Sequence, residues 1–155
     1  MATKSSAAGD TGFAASPSLT LKRRLNAPPA KVWAAWTDPE KIAHWFGPAQ
    51  TKDRSVRAEL EVRLGGRFRV SFSTDNEYYE IGGVYREVVP NQRLVFSWAW
   101  HSTPERESLV TVTLKPDGAG TLLTLSHEKF FDQAAADGHR NGWTGSLDRL
   151  EKAVA

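Results

Sequence analysis

The sequence predicts an α+β domain: a curved antiparallel sheet of about six or seven strands, two short helices, and one long C-terminal helix laid against the sheet. Three observations predict it. Between Leu19 and His127, short runs alternate apolar and polar residues and are broken by Gly, Pro, Asn and Asp. That is the pattern of strands joined by tight links, hence of an antiparallel sheet. The stretch from Ala30 to Trp45 interrupts this alternation with helical spacing. Finally, Ala136, His139, Trp143, Leu147, Leu150 and Val154 recur at steps of three and four, forming one stripe of a helix from Asp132 to Val154. An apolar stripe and a sheet with one apolar face cover each other.

The elements follow in order. Leu19 to Leu25 alternates and reads as a strand, stopped by Asn26-Ala27-Pro28-Pro29. A proline at a helix start is favourable because its missing N–H costs nothing there, so Ala30 to Trp36 follows as a short helix. Thr37-Asp38-Pro39 restarts a second, Glu40 to Trp45, ended by Gly47-Pro48. Both are too short to stand alone and must pack on the sheet. Val56 to Arg63 reads as a strand and Leu64 to Arg67 as a turn. Phe68, Val70 and Phe72 then set one apolar strand face. Tyr78 to Val89 is a longer strand in which Gly82-Gly83 suggests a bulge or sharp bend.

After Pro90-Asn91, Leu94, Phe96, Trp98 and Trp100 form the most aromatic strand face of the chain. Ser102 to Arg106 is a loop. Val110, Val112 and Leu114 continue the alternation, and Leu123, Leu125 and His127 share a face after the Pro116 to Gly120 turn. Asp132 is placed to cap the long helix. Gly138, Gly142 and Gly145 each disfavour that helix by about 1 kcal/mol relative to Ala. They fall on its flank or back, so they mark a mobile or kinked first half, or contact with a loop.

The 155 residues fit one domain, and a chain of this size buries about 70% of its unfolded surface without disulfide or metal. Cysteine is absent, which excludes disulfides, thiolate catalysis and thiolate metal sites, and fits a cytoplasmic protein. Net charge is +2 from 20 basic and 18 acidic residues, so no nucleic-acid-binding face is expected. No segment has the roughly 18 apolar residues of a membrane span. Residues 1–17 are small and polar and lack the apolar core of a secretory signal, and are expected to be a disordered tail before a domain over 18–155.

The order of Asp38-Pro39-Glu40, Trp45-Phe46-Gly47-Pro48, Gly65 to Arg69, Gly83 to Val88, Arg93 to Trp98 and His139 to Trp143 resembles one family. It is the bacterial proteins related to the C-terminal domain of the heat-shock protein 90 ATPase activator, within the START/SRPBCC superfamily. The resemblance covers about Ser18 to Ala155. It implies the helix-grip fold, with a cavity between sheet and C-terminal helix, and leaves the ligand open, since superfamily members bind lipids, sterols, polyketides or plant hormones and a minority are catalysts. The chaperone activator also has a separate N-terminal domain, for which this chain has no room.

Six tryptophans, seven phenylalanines and three tyrosines are many for such a domain; aromatic rings fill cores and also line pockets for flat ligands. Phe68, Val70, Phe72, Phe96, Trp98, Trp100 and Trp143 are the expected cavity lining, with a solid core as the plainer reading of the same residues. Trp45-Phe46, beside Gly47-Pro48, is a candidate lid or else core. Access is expected between the long helix and the loops carrying Trp45-Phe46 and Ser102 to Arg106. His127 and His139 lie on inward faces; with Tyr85 they are the polar groups a catalytic reading would use, and satisfied core histidines otherwise.

No metal-ligand spacing, phosphate loop or nucleophile elbow is present, and Glu59, Glu61, Glu80 and Glu87 belong to a solvated face. The leading expectation is binding of a small hydrophobic or amphipathic molecule, with no cofactor and no metal, by a monomer or homodimer. A polyketide-cyclase-like enzyme and a chaperone-binding module are the alternatives.

Overall fold

The computed structural model describes residues 16–155. The tail expected over residues 1–17 therefore lies, up to residue 15, outside the described residues. Seven strands form one antiparallel sheet: β1 (Leu19–Leu25), β2 (Arg57–Leu60), β3 (Arg67–Ser73), β4 (Tyr78–Val89), β5 (Arg93–Trp100), β6 (Ser108–Asp117) and β7 (Gly120–Glu128). Their spatial order is β1-β7-β6-β5-β4-β3-β2. All links are hairpins except the one from β1 to β2, which carries helices α1 (Pro29–Thr37) and α2 (Pro39–Ile42). Helix α3 (Gln133–Val154) closes the chain. This is the α+β helix-grip architecture.

Local chemistry sets these boundaries. Pro29 begins α1 at a position that needs no N–H. Asp38 ends α1 and caps α2, its carboxylate accepting from the Glu40 N–H at 2.9 Å. Asp132 caps α3 in the same way, accepting from Ala135 N–H at 2.8 Å. Helix α2 is shorter than the expected Glu40 to Trp45, because the N–H groups of Trp45 and Phe46 both turn back onto the Ile42 carbonyl. Strand β2 is shorter than the expected Val56 to Arg63, because Glu61 already belongs to the turn: its carboxylate accepts the Arg67 N–H at 3.0 Å.

The bulge in β4 is displaced from the expected Gly82-Gly83. Tyr85 faces Phe96 and Glu87 faces Val95, so Arg86 is the extra residue. Gly83 has another role. A Cβ there would overlap the Ser97 carbonyl and lie 2.6 Å from the Phe68 ring. Beside it, the Val84 N–H donates to the Ser97 hydroxyl at 2.8 Å.

The sheet's inner face divides into two regions. Beneath α1 and α2, Phe68, Val70, Tyr85, Leu94 and Phe96 pack against Trp36, Ile42 and Phe46, leaving a void of only about 20 Å³. That region is solid core. The C-terminal half of α3 is also fully seated, with Leu147 and Leu150 wholly buried. An Arg23–Asp148 ion pair at 2.7 Å ties it to β1. Between the N-terminal half of α3 and the sheet the space is not filled, although His139 still meets Trp100 there.

Candidate functional site

Under that half of α3 lies a cavity of about 660 Å³. Its sheet wall comes from the ends of β3, β4 and β5, which supply Phe72, Tyr79, Ile81, Trp98 and Trp100. Strand register brings these rings together: Phe72 faces Tyr79 across β3 and β4 and stacks on it, centroids 5.1 Å apart. Tyr79 meets Trp100 edge-on at 5.7 Å, and Trp98 meets Trp143 of α3 at 5.2 Å. Phe46 closes this belt, 6.0 Å from both Trp98 and Trp143. The mouth is more polar, with Gln50, Asp75, Asn76 and Asn141 exposed around it.

The helix side of the cavity is cleared of side chains. Gly138 and Gly142 both line it, and a Cβ on either would meet nothing within 4 Å. Gly145 differs: a Cβ there would sit 2.7 Å from the Ala49 nitrogen, so this glycine lets the roof loop pack on the helix. Two more groups hold that loop. Ser146 Oγ donates to the Gly47 carbonyl at 2.8 Å, and Arg149 Nη1 donates to the Phe46 carbonyl at 2.9 Å. Gly47 has φ 106°, a conformation that favours glycine.

Both inward histidines are held as neutral rings by tryptophan donors. Trp143 Nε1–H donates to His127 Nδ1 at 3.0 Å. Indole nitrogen can only donate, so His127 Nδ1 accepts and Nε2 carries the proton. That N–H meets Ser108 Oγ at 2.7 Å, and the hydroxyl donates onward to the Trp98 carbonyl at 3.2 Å. Burial, assisted by nearby His139, pushes the His127 pKa down to about 2. His139 is arranged the other way round: Nε2 accepts from Trp100 Nε1–H at 3.0 Å, and Nδ1–H donates to the Ala135 carbonyl at 2.7 Å. Burial lowers its pKa too, against the opposing effect of the Ala135 carbonyl. Burial raises that of the Tyr85 phenol.

Of the residues expected at the site, Phe46, Phe72, Trp98, Trp100, His139 and Trp143 line the cavity. Phe68, Val70, Tyr85 and Phe96 instead line the small void beneath α1 and α2. His127 is wholly buried behind Trp98 and Trp143 and lies outside the cavity lining. Trp45 is no lid: it is 0% exposed, and its Nε1–H donates to the Ala35 carbonyl at 2.9 Å. The Ser102 to Arg106 loop also lies outside the lining; the mouth is formed by residues 47–50, the β3–β4 turn at Thr74 to Asn76, and α3. These loop residues carry no periodic pattern that marks them in advance. Gly138 and Gly142 did carry a signal, since two glycines one turn apart clear one helix face.

Among the described residues, no group of three or more His, Cys, Asp or Glu is placed to hold a metal ion. None of their helices is long and apolar enough to cross a membrane.

The profile of the family described as "Activator of Hsp90 ATPase homolog 1-like protein" matches residues 26–155. No curated protein matches the chain. Among solved structures, CV1439 from Chromobacterium violaceum is similar at 27% identity and a TM-score of 0.78, over 88% of this chain and 96% of that one. CalU16 from Micromonospora echinospora is 28% identical with a TM-score of 0.66, over 89% of this chain and 76% of CalU16. DynU16, a protein of the dynemicin biosynthetic locus, is 26% identical with a TM-score of 0.70, over 87% of this chain but 46% of DynU16. With its profile match spanning nearly all the described residues and its sheet closed around α3, the chain belongs to the family of activator of Hsp90 ATPase homolog 1-like proteins and has their helix-grip fold.

Proposed function

We propose that the chain binds one small, flat, largely apolar molecule with a polar end, in the cavity beneath the N-terminal half of α3. The observation that carries this is the cavity itself: about 660 Å³, walled by six aromatic rings and open through a polar mouth. That volume falls in the roughly 300–1,000 Å³ range of small-molecule sites. Rings in edge and tilted contact present faces to a planar ligand, which favours a flavonoid or polyketide-like ring system over a lipid chain or sterol. The likeness to DynU16, a protein of the dynemicin biosynthetic locus, fits a ligand drawn from small-molecule biosynthesis.

Neither inward histidine supports a catalytic reading. A general base must have a free nitrogen or oxygen facing the substrate. His139, the imidazole at the cavity wall, already uses both nitrogens, and His127 does so behind it. Titration of intrinsic fluorescence with a panel of planar polycyclic phenols tests the proposal, because Trp98, Trp100 and Trp143 all line the cavity. The expected result is saturable one-to-one quenching that disappears in Gly142→Leu. Unsaturable quenching by every compound, equal in the variant, would remove the proposal.

A further inference from the structure

Another large hollow among the described residues carries charge where the aromatic cavity carries rings. About 600 Å³ in volume, it lies between α1, α2 with the turn after it, and the C-terminal end of α3. Lys31, Lys41, His44, Arg149 and Lys152 line it, over a floor that includes the buried Trp45. Among the described residues that line it there is no carboxylate. In a chain with 20 Lys and Arg against 18 acidic residues, four of those cations around one hollow, with His44 beside them, is a local concentration that the net charge of +2 conceals.

The lysines among them are uncommitted. Lys31, Lys41 and Lys152 are exposed and form no ion pair among the described residues. Arg149 is partly committed, since Nη1 serves the Phe46 and Gly47 carbonyls and Asp53 bears on its charge. The C-terminal end of α3 adds a partial negative charge nearby. Neither influence places a carboxylate in the hollow. A concave surface of one charge sign focuses its field and concentrates counter-ions of the opposite sign. The lysines come from three separate elements, so a monovalent anion meets few of them while a longer polyanion reaches several. The concavity favours a small molecule over a flat partner surface.

We propose that this hollow binds a small molecule bearing two or more phosphate groups, at a site separate from the aromatic cavity. Pyrophosphate is the test probe, with inorganic phosphate and citrate beside it, titrated calorimetrically and by amide NMR at low and at physiological ionic strength. The expected result is saturable binding of pyrophosphate, tighter than either comparison anion and weakened by salt, with shifts at Lys41, His44 and Lys152. The double variant Lys41→Gln/Lys152→Gln is expected to weaken binding roughly tenfold while keeping the thermal midpoint. Lys22→Gln/Lys115→Gln, on exposed strand positions away from the hollow, is expected to leave binding unchanged. No saturable binding, equal binding of citrate, or the same loss in both double variants would overturn the assignment.

Discussion

Trp143 in the middle of α3 donates its indole N–H to Nδ1 of His127 at the end of β7, 3.0 Å away and wholly shielded from solvent. This bond joins helix to sheet at the inner end of the cavity. It also fixes the histidine tautomer and, through it, the Ser108 hydroxyl and the Trp98 carbonyl. The grip of sheet on helix is therefore partly polar, and every member of the chain is satisfied only while His127 stays neutral.

A pH dependence of stability follows. His127 has a folded-state pKa of about 2, against 6.5 when unfolded. The unfolded chain thus takes up a proton first as pH falls. The contribution is fully present above about pH 6.5 and is lost progressively as pH falls towards the folded value, at roughly 1.4 kcal/mol per pH unit. His139 is shifted in the same direction. Urea unfolding should change little from pH 7.5 to about 6.5 and approach this slope by about pH 5, and imidazole NMR should show His127 as an untitrated Nε2–H ring. A His127 ring that titrates near neutrality would contradict the network.

The three glycines of α3 should respond differently to the same substitution. Gly138→Ala and Gly142→Ala gain helix propensity, about 1 kcal/mol each, and meet no neighbour. Gly145→Ala drives a methyl into the roof-loop backbone at Ala49 and should lose roughly 1–2 kcal/mol net. Thermal midpoints of the three variants decide this, and equal shifts would contradict it.

Gly83→Ala should be far more damaging than Gly82→Ala. The added methyl at Gly83 overlaps the Ser97 carbonyl and the Phe68 ring, whereas at Gly82 its nearest neighbour is the Phe68 carbonyl at 3.5 Å. A loss of about 3 kcal/mol is expected at Gly83 and under about 1 kcal/mol at Gly82. Chemical denaturation of the pair provides the comparison.

The roof should loosen independently of the fold. Ser146→Ala removes the donor to the Gly47 carbonyl and should cost about 1 kcal/mol. Hydrogen exchange at residues 49–52 should then accelerate, while amides of β5 to β7 keep their protection. Uniform acceleration throughout would mean that the loop is part of the global unfolding unit.

Strand alternation placed Phe72, Trp98 and Trp100 on one face, and helical periodicity placed Trp143 and His139 opposite, because both patterns follow directly from backbone geometry. Which inward residues meet empty space was not legible. Phe68, Phe96 and Tyr85 have the same alternation as Phe72 and Trp98, but α1 and α2 fill the volume above the first group and the space between α3 and the second is not filled. Trp45 beside Gly47-Pro48 read equally as lid or core, and its donation to the Ala35 carbonyl, ten residues away, is what settles it as core. Gly145 packs on the loop at Ala49, one of the two readings its off-stripe position offered, but which loop it meets is a long-range matter that no local pattern encodes.

The most direct test is an amide-resolved NMR titration of the intact chain with a planar polycyclic phenol, repeated on Gly142→Leu. Saturable shifts confined to the surroundings of Phe46, Phe72, Trp98, Trp100, His139 and Trp143, absent in the variant although it remains folded, are the result predicted. Shifts centred instead on Phe68, Tyr85 and Phe96, or no localised response across the panel, would contradict a ligand site beneath α3.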